Sequence, residues 1–264
     1  MFLKLKRTPT KKLDFIIAGA QKAGTTALSD LLESHPRIKM PHKDELHRTV
    51  QPARHFFDDE ERFAHTKIDY TPLQRGCVRK RESTLLGSCT PVYIYWKTAM
   101  ERIWNYNNEI KLFVLLRNPA DRAFSHWNMQ RDRRLENLDF LAAVQDEKNR
   151  ARETMPFQLR KFSYVDRGFY AEQMERVFRY FPRKQVHAIK FEDFRRNARE
   201  TLDAACNFLG VEPLKKLNNV ETGSTPYRRR MTGSERQYLV DLYRSDIERF
   251  ERLLGWDCSD WKKV

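Results

Sequence analysis

Three short apolar runs interrupt a largely polar chain: Leu13-Asp14-Phe15-Ile16-Ile17-Ala18-Gly19, Lys111-Leu112-Phe113-Val114-Leu115-Leu116, and Gln185-Val186-His187-Ala188-Ile189-Lys190-Phe191. Runs this short and this continuous suit parallel strands buried on both faces. Between and after them the apolar period lengthens to that of helices. Thr25-Thr26 open one helix with Ala27, Leu28, Leu31 and Leu32 on a single face, and Pro36 ends it. Others are predicted over 97–107, from Pro119 through Arg122, Ser125, Trp127 and Met129, over 138–150 and 170–181, from Glu192-Asp193 to Leu209-Gly210, and over 234–254 before Gly255. Residues 37–90 are polar and irregular, with several prolines and histidines, and read as substrate-contacting loops. Strands alternating with helices predict an α/β fold, a P-loop-like three-layer sandwich whose central, mostly parallel sheet is flanked by helices. No repeat or low-complexity linker divides the chain. The expected organisation is a flexible basic arm over 1–12 and one domain over 13–264.

Composition adds bounds. Of 264 residues 40% are hydrophobic, enough for a core, and 33% are charged. No apolar run reaches the ~18 residues of a membrane span, and the first residues carry no secretory signal, so no membrane association and a cytoplasmic location are the default expectation. Cys77, Cys89, Cys206 and Cys258 show neither CxxC nor zinc-ligand spacing, and read as reduced thiols. The net charge of +14 favours anionic partners, and basic runs occur at Arg131-Asp132-Arg133-Arg134 and Arg228-Arg229-Arg230. Charge alone suggests nucleic acid as readily as a nucleotide.

The loop Gly19-Ala20-Gln21-Lys22-Ala23-Gly24-Thr25-Thr26 changes that balance. Strand, glycine-flanked loop and helix start together make a phosphate cradle of backbone N–H groups. An NTPase loop places its lysine directly after the second glycine. Here Thr25 holds that position and the lysine has moved into the loop as Lys22. No apolar strand ends in an aspartate for magnesium, so a donor without a triphosphate fits better than ATP. Arg117 at the end of the second apolar run and Ser125 on the following helix form a second anion site. Two anion sites at two strand ends suggest a nucleotide phosphorylated at two separate positions.

At these residues the chain resembles the sulfotransferases that use 3′-phosphoadenosine 5′-phosphosulfate (PAPS), closest to their heparan-sulfate-type and bacterial branch. Residues 21–28 look like that family's 5′-phosphosulfate loop and Leu116 to Ser125 like its 3′-phosphate motif. Residues 167–176, 191–194 and 208–211 are similar to later landmarks, and 255–261 to the usual ending. The resemblance implies that Lys22, Ala23, Gly24, Thr25 and Thr26 hold the 5′-phosphosulfate and Arg117 and Ser125 the 3′-phosphate. Tyr227 and Arg228 stand where the family places a covering loop, although its Lys-Gly-Arg spacing is missing. It also implies a catalytic carboxylate in a stretch that here reads Lys43-Asp44-Glu45-Leu46-His47 and resumes at His55-Phe56-Phe57. Glu45 best matches the general base, with Asp44, His47 and His55 as competitors. Ser88 and Cys89 replace the Glu and Lys of many relatives inside the frame Gly87 to Tyr93, implying an altered acceptor pocket.

The implied reaction is in-line sulfuryl transfer from PAPS to a hydroxyl or amine of a small-molecule or glycan acceptor. Lys22 would stabilise the leaving nucleotide, 3′-phosphoadenosine 5′-phosphate (PAP), and no metal would be required. The competing readings are a P-loop small-molecule kinase and a basic nucleic-acid-binding protein.

Overall fold

The computed structural model describes residues 12–40, 55–74, 84–215 and 227–264. In chain order the elements are β1 (Phe15–Gly19), α1 (Thr25–Glu33), β2 (Ile38–Lys39), α2 (Glu60–Phe63), α3 (Thr71–Gln74), β3 (Leu85–Cys89), α4 (Ala99–Tyr106), β4 (Lys111–Leu116) and α5 (Pro119–Asp132). They continue with α6 (Phe140–Glu153), α7 (Tyr170–Tyr180), β5 (Val186–Lys190), α8 (Phe191–Arg196), α9 (Ala198–Leu209) and α10 (Gly233–Leu254). Short 3₁₀ turns cover Asp166–Gly168, Arg183–Gln185 and Ser259–Lys262.

The strands form one parallel sheet in the order β2-β3-β1-β4-β5. Ile16 stands opposite Ser88 on one side and Leu112 on the other, and Val114 opposite Ala188. Every residue of β1 is buried, as the apolar run requires of a central parallel strand. One helical layer contains α1, α8 and α9; the other contains α4, α5, α7 and α10. The expected three-layer α/β architecture is therefore present.

The strand order fixes where a ligand can sit. From β1 the chain crosses toward β2, whereas from β4 it crosses toward β5. The connections diverge between the carboxyl ends of β1 and β4, and such a divergence opens a crevice at the sheet's edge. The phosphate loop follows β1 and Arg117 follows β4.

Two strands differ from the sequence reading. β2 and β3 lie within the stretch read as irregular. β2 is two residues long, and β3 carries Gly87 where a Cβ would meet the Phe15 ring at 2.1 Å, so neither presents an apolar run. The helix expected from 192 to 209 is two helices broken at Asn197, whose side chain accepts from the Glu200 N–H (3.2 Å) and starts α9 afresh.

Candidate active site

The turn from β1 into α1 is held on both sides. The Ala20 N–H donates to Leu115 O of β4 at 2.6 Å, and the Ala23 N–H closes back onto Ala20 O at 3.1 Å. Lys22 and Gly24 adopt left-handed backbone, with φ of 73° and 86°. A Cβ on Gly24 would approach the Phe191 ring to 2.9 Å, so geometry and space both demand glycine there. Gly24 caps α1 and offers no side-chain acceptor, and the first turn holds no acidic residue. Elsewhere the side chain of Asn118 takes the first N–H groups of α5, and Thr232 with Glu235 forms a capping box on α10. Among the described residues no side chain caps the leading N–H groups of α1, as an anion cradle requires. Ala23 and Thr25 are buried in this cradle and Thr26 is exposed at its rim.

Positive charge converges on the loop. Burial pushes the Lys22 amine below its ordinary pKa, and the nearby cations of Arg117 and Arg133 push it further, against a smaller opposing pull from Asp132. A phosphate or sulfate placed there would relieve this repulsion. Arg117 Nη1 donates to Lys22 O at 3.3 Å and Nη2 to the Tyr227 hydroxyl at 3.4 Å, while its guanidinium lies 4.9 Å from the Phe191 ring centre. The Tyr170 hydroxyl donates to Arg117 O at 2.9 Å and anchors the strand end. Lys22, Arg117 and Tyr227 are therefore brought together. Ser125 is buried two turns along α5. Arg228 pairs instead with Asp132 at 3.0 Å, and Arg229 chelates Glu235 at 2.6 and 2.8 Å.

Beneath the loop lies a contact that local sequence does not reveal. Arg167, fully buried, donates through Nη1 to the Gln21 side chain, through Nε to Ser163 Oγ (2.7 Å) and through Nη2 to Arg160 O (2.6 Å). Burial pushes its pKa down to about 10. Gln21 and Arg167 both fall in family-like segments, but 146 residues separate them, and nothing nearby marks Arg167 as buried. Arg133 was visible in the sequence only as one member of a charge run.

The candidates for the general base divide. Asp44, Glu45 and His47 lie outside the described residues. His55 lies within them, with φ of 60°, and its Nδ1–H donates to Asp58 Oδ2 at 2.9 Å. Asp58 is buried and also accepts from Arg160. Burial raises the Asp58 carboxyl, but the hydrogen bonds and charges of His55 and Arg160 outweigh it and hold the pKa below the usual value. The Phe56 and Phe57 N–H groups donate to the Tyr93 hydroxyl at 3.1 and 3.4 Å, tying this segment to the frame after β3. At the end of β3, Ser88 is buried and Cys89 Sγ lies 3.8 Å from Thr25 O.

Comparison with known proteins agrees with this fold. The family model for the sulfotransferase domain matches residues 12–225. Heparan sulfate glucosamine 3-O-sulfotransferase 5 of Mus musculus is 24% identical over 219 residues, covering 80% of this chain and 57% of that protein. The human 3-O-sulfotransferase 3B1 is 27% identical over 233 residues, covering 85% of this chain and 54% of that protein. The chain thus spans little more than half the length of these curated relatives. The crystal structure of a sulfotransferase from Alicyclobacillus acidocaldarius superposes with a TM-score of 0.78 at 28% identity, covering 96% of this chain and all of that one.

Proposed function

The chain belongs to the sulfotransferase domain family, and from that premise we propose that it transfers a sulfuryl group from PAPS to a hydroxyl or amine of a small-molecule or glycan acceptor. One observation carries the reading: Arg117, at the end of β4, reaches across the crevice to Lys22 of the uncapped phosphate loop (3.3 Å). The two strand ends thereby frame one site with an anion cradle on each side.

In this reading the N–H groups at Ala23 to Thr26 and the Thr25 and Thr26 hydroxyls hold the 5′-phosphate. Arg117 and Ser125 hold the 3′-phosphate, and Tyr227 and Arg228 cover it. The acceptor oxygen forms a new bond to sulfur while the bond from sulfur to the 5′-phosphate oxygen breaks. Lys22 stabilises the charge growing on that oxygen, and the general base takes the acceptor proton. Glu45 is the proposed base, with His47 beside it. A second reading gives the role to His55, because its hydrogen bond to buried Asp58 fixes one tautomer and orients the ring. The names of the relatives favour a carbohydrate acceptor. A cytoplasmic setting belongs to the same proposal and is consistent with the thiols of Cys206 and Cys258 standing outside any disulfide. Among the described residues no helix is long and apolar enough to cross a membrane.

The test measures binding of PAP, PAPS and magnesium-ATP by calorimetry, and transfer of labelled sulfate. PAP and PAPS should bind and ATP should not. Arg117→Ala should weaken PAP by about tenfold to a hundredfold, the loss of one charged hydrogen-bonding group. Lys22→Ala should abolish turnover in a folded protein. Preferential ATP binding would favour the kinase. Steeply salt-dependent binding of DNA or RNA that ignores Lys22 would favour the nucleic-acid reading.

A further inference from the structure

A buried arginine is costly unless something uses its charge or its forked donors. Arg167 is 3% exposed, and burial lowers its pKa only to about 10, so it stays a cation at neutral pH. Its hydrogen bonds go to three neutral acceptors: the Gln21 amide oxygen, Ser163 Oγ at 2.7 Å and Arg160 O at 2.6 Å. Its guanidinium lies 4.8 Å from the Tyr95 ring centre. Among the described residues no carboxylate accepts from it. A role in stability alone would be served as well by an apolar side chain of similar volume.

What the arginine settles is the polarity of Gln21. A guanidinium carries donors only, so the amide atom that faces it is the oxygen. The amide is thereby fixed against a flip, with its NH2 end turned away from Arg167. Gln21 is half-buried, and among the described residues that NH2 group has no hydrogen-bond partner. The backbone on both sides of Gln21 is pinned as well. The Ala20 N–H donates to Leu115 O at 2.6 Å, and Lys22 O accepts from Arg117 at 3.3 Å. A fixed backbone and a fixed amide oxygen leave one donor end for a ligand in the loop.

Resting on the sulfotransferase reading, we infer that Arg167 is a positioning residue for sulfuryl transfer: it holds the Gln21 amide so that its NH2 donates to a sulfuryl oxygen of PAPS. In that reading Lys22 meets the oxygen of the breaking bond, and Gln21 adjoins Lys22 in the loop. The N–H groups at Ala23 to Thr26 hold the 5′-phosphate, which PAP and PAPS share. The contact from Gln21 exists only with PAPS. Without Arg167 the amide is free to turn its oxygen toward the anion, and that orientation repels it.

The experiment measures Kd for PAP and for PAPS by calorimetry, with the full chain and no acceptor. Gln21→Met keeps the side-chain length and removes the donor. It should weaken PAPS about tenfold, the loss of one hydrogen bond to a charged group, and PAP by less than about twofold. Arg167→Met should weaken PAPS relative to PAP by about threefold to tenfold, and Arg167→Lys, which keeps the charge and one donor, by less. Combining Gln21→Met with Arg167→Met should cost no more PAPS affinity than Gln21→Met alone, since the arginine acts through the amide. Arg167→Lys takes the place of Arg167→Met in this cycle if the latter does not fold. An unchanged preference between PAPS and PAP in Gln21→Met overturns the inference and leaves the donor site standing. Losses that add in the combined variant overturn it too, as does an Arg167 variant that weakens both ligands equally, the result of a merely structural arginine. Failure of the unaltered protein to bind PAP would bring down the sulfotransferase reading and this inference with it.

Discussion

Lys22 combines a left-handed backbone with partial burial and two neighbouring cations, and the last two disfavour a protonated lysine without an anion beside it. The arrangement is sensible if the site is built around a polyanion. PAP affinity should therefore fall with rising pH from below the ordinary lysine range, because the depressed amine loses its proton early and with it one attraction to the nucleotide. Calorimetric titrations at increasing pH check this, and Lys22→Ala should remove that limb while leaving weaker binding by Arg117. At Gly24, φ of 86° and the 2.9 Å approach to Phe191 act together. Gly24→Ala should lower stability by about 1–3 kcal/mol and weaken PAP binding further, because the first N–H groups of α1 would be re-aimed. Wild-type PAP affinity in that variant would show that the cradle lies elsewhere. These residues could be read from the sequence because the loop is a contiguous motif whose glycines and displaced lysine have local meaning. Arg167 beneath it could not, because its role exists only once the chain has returned to β1.

Two elements reach across the fold to hold Arg167 in place. Glu147 of α6 accepts from the Val165 and Asp166 N–H groups at 2.6 and 2.8 Å. Asp246 of α10 accepts from the Tyr170 and Ala171 N–H groups at 2.7 and 3.3 Å. The 3₁₀ turn and the start of α7 are thus capped by carboxylates from distant helices. Burial raises Glu147 to about 7 and Asp246 to about 6, against the lowering effect of those N–H bonds. Both folded values lie above the unfolded ones, so between them the native state holds protons that the unfolded state has released. Stability from these groups is complete below the unfolded values and is lost as pH rises through about 6 and about 7. Glu147→Gln keeps an acceptor and removes the titration. Its denaturant midpoints at about pH 5 and about pH 8 should lie closer together than those of the wild type. An undiminished gap would show that Glu147 does not titrate in this range. At this scale the sequence reading worked where hydrophobic period was strong, in β1, β4, β5, α5 and α10. It missed β3 because Gly87 and Ser88 interrupt the apolar pattern, the space at Gly87 being filled by Phe15 of β1 and by Met40 just after β2. It joined α8 to α9 because the helical period continues through Asn197, and only the capping bond to Glu200 reveals the restart.

The two basic runs that suggested nucleic acid meet in space, and most of their mapped contacts are internal. Arg228 pairs with Asp132, Arg229 with Glu235, and Arg229 also lies 5.4 and 5.2 Å from the ring centres of Phe124 and Trp127. They fasten residues 227–230 against α5, where Tyr227 reaches Arg117. Both ends of the domain are tied to one core. The Leu13 N–H donates to the Tyr106 hydroxyl (2.8 Å), and Trp261 packs on Tyr170 and Phe250 while Asp260 pairs with Lys190. The proposal that 13–264 is one domain therefore has a direct consequence. Helix content by circular dichroism and fluorescence from Trp96, Trp104, Trp127, Trp256 and Trp261, which lie on both sides of β4 in sequence, should report a single coincident unfolding transition. PAP binds between β1 and β4 in the proposed site, so saturating it should move both signals together. At a hundredfold excess over Kd the added stability is about 2.7 kcal/mol, which for a domain of this size shifts Tm by roughly 5–10 °C. Two separated transitions, or a shift confined to one signal, would mean that the nucleotide site and the C-terminal helix belong to units that fold apart, and residues 227–264 could then not serve as the cover for a phosphate held by Arg117.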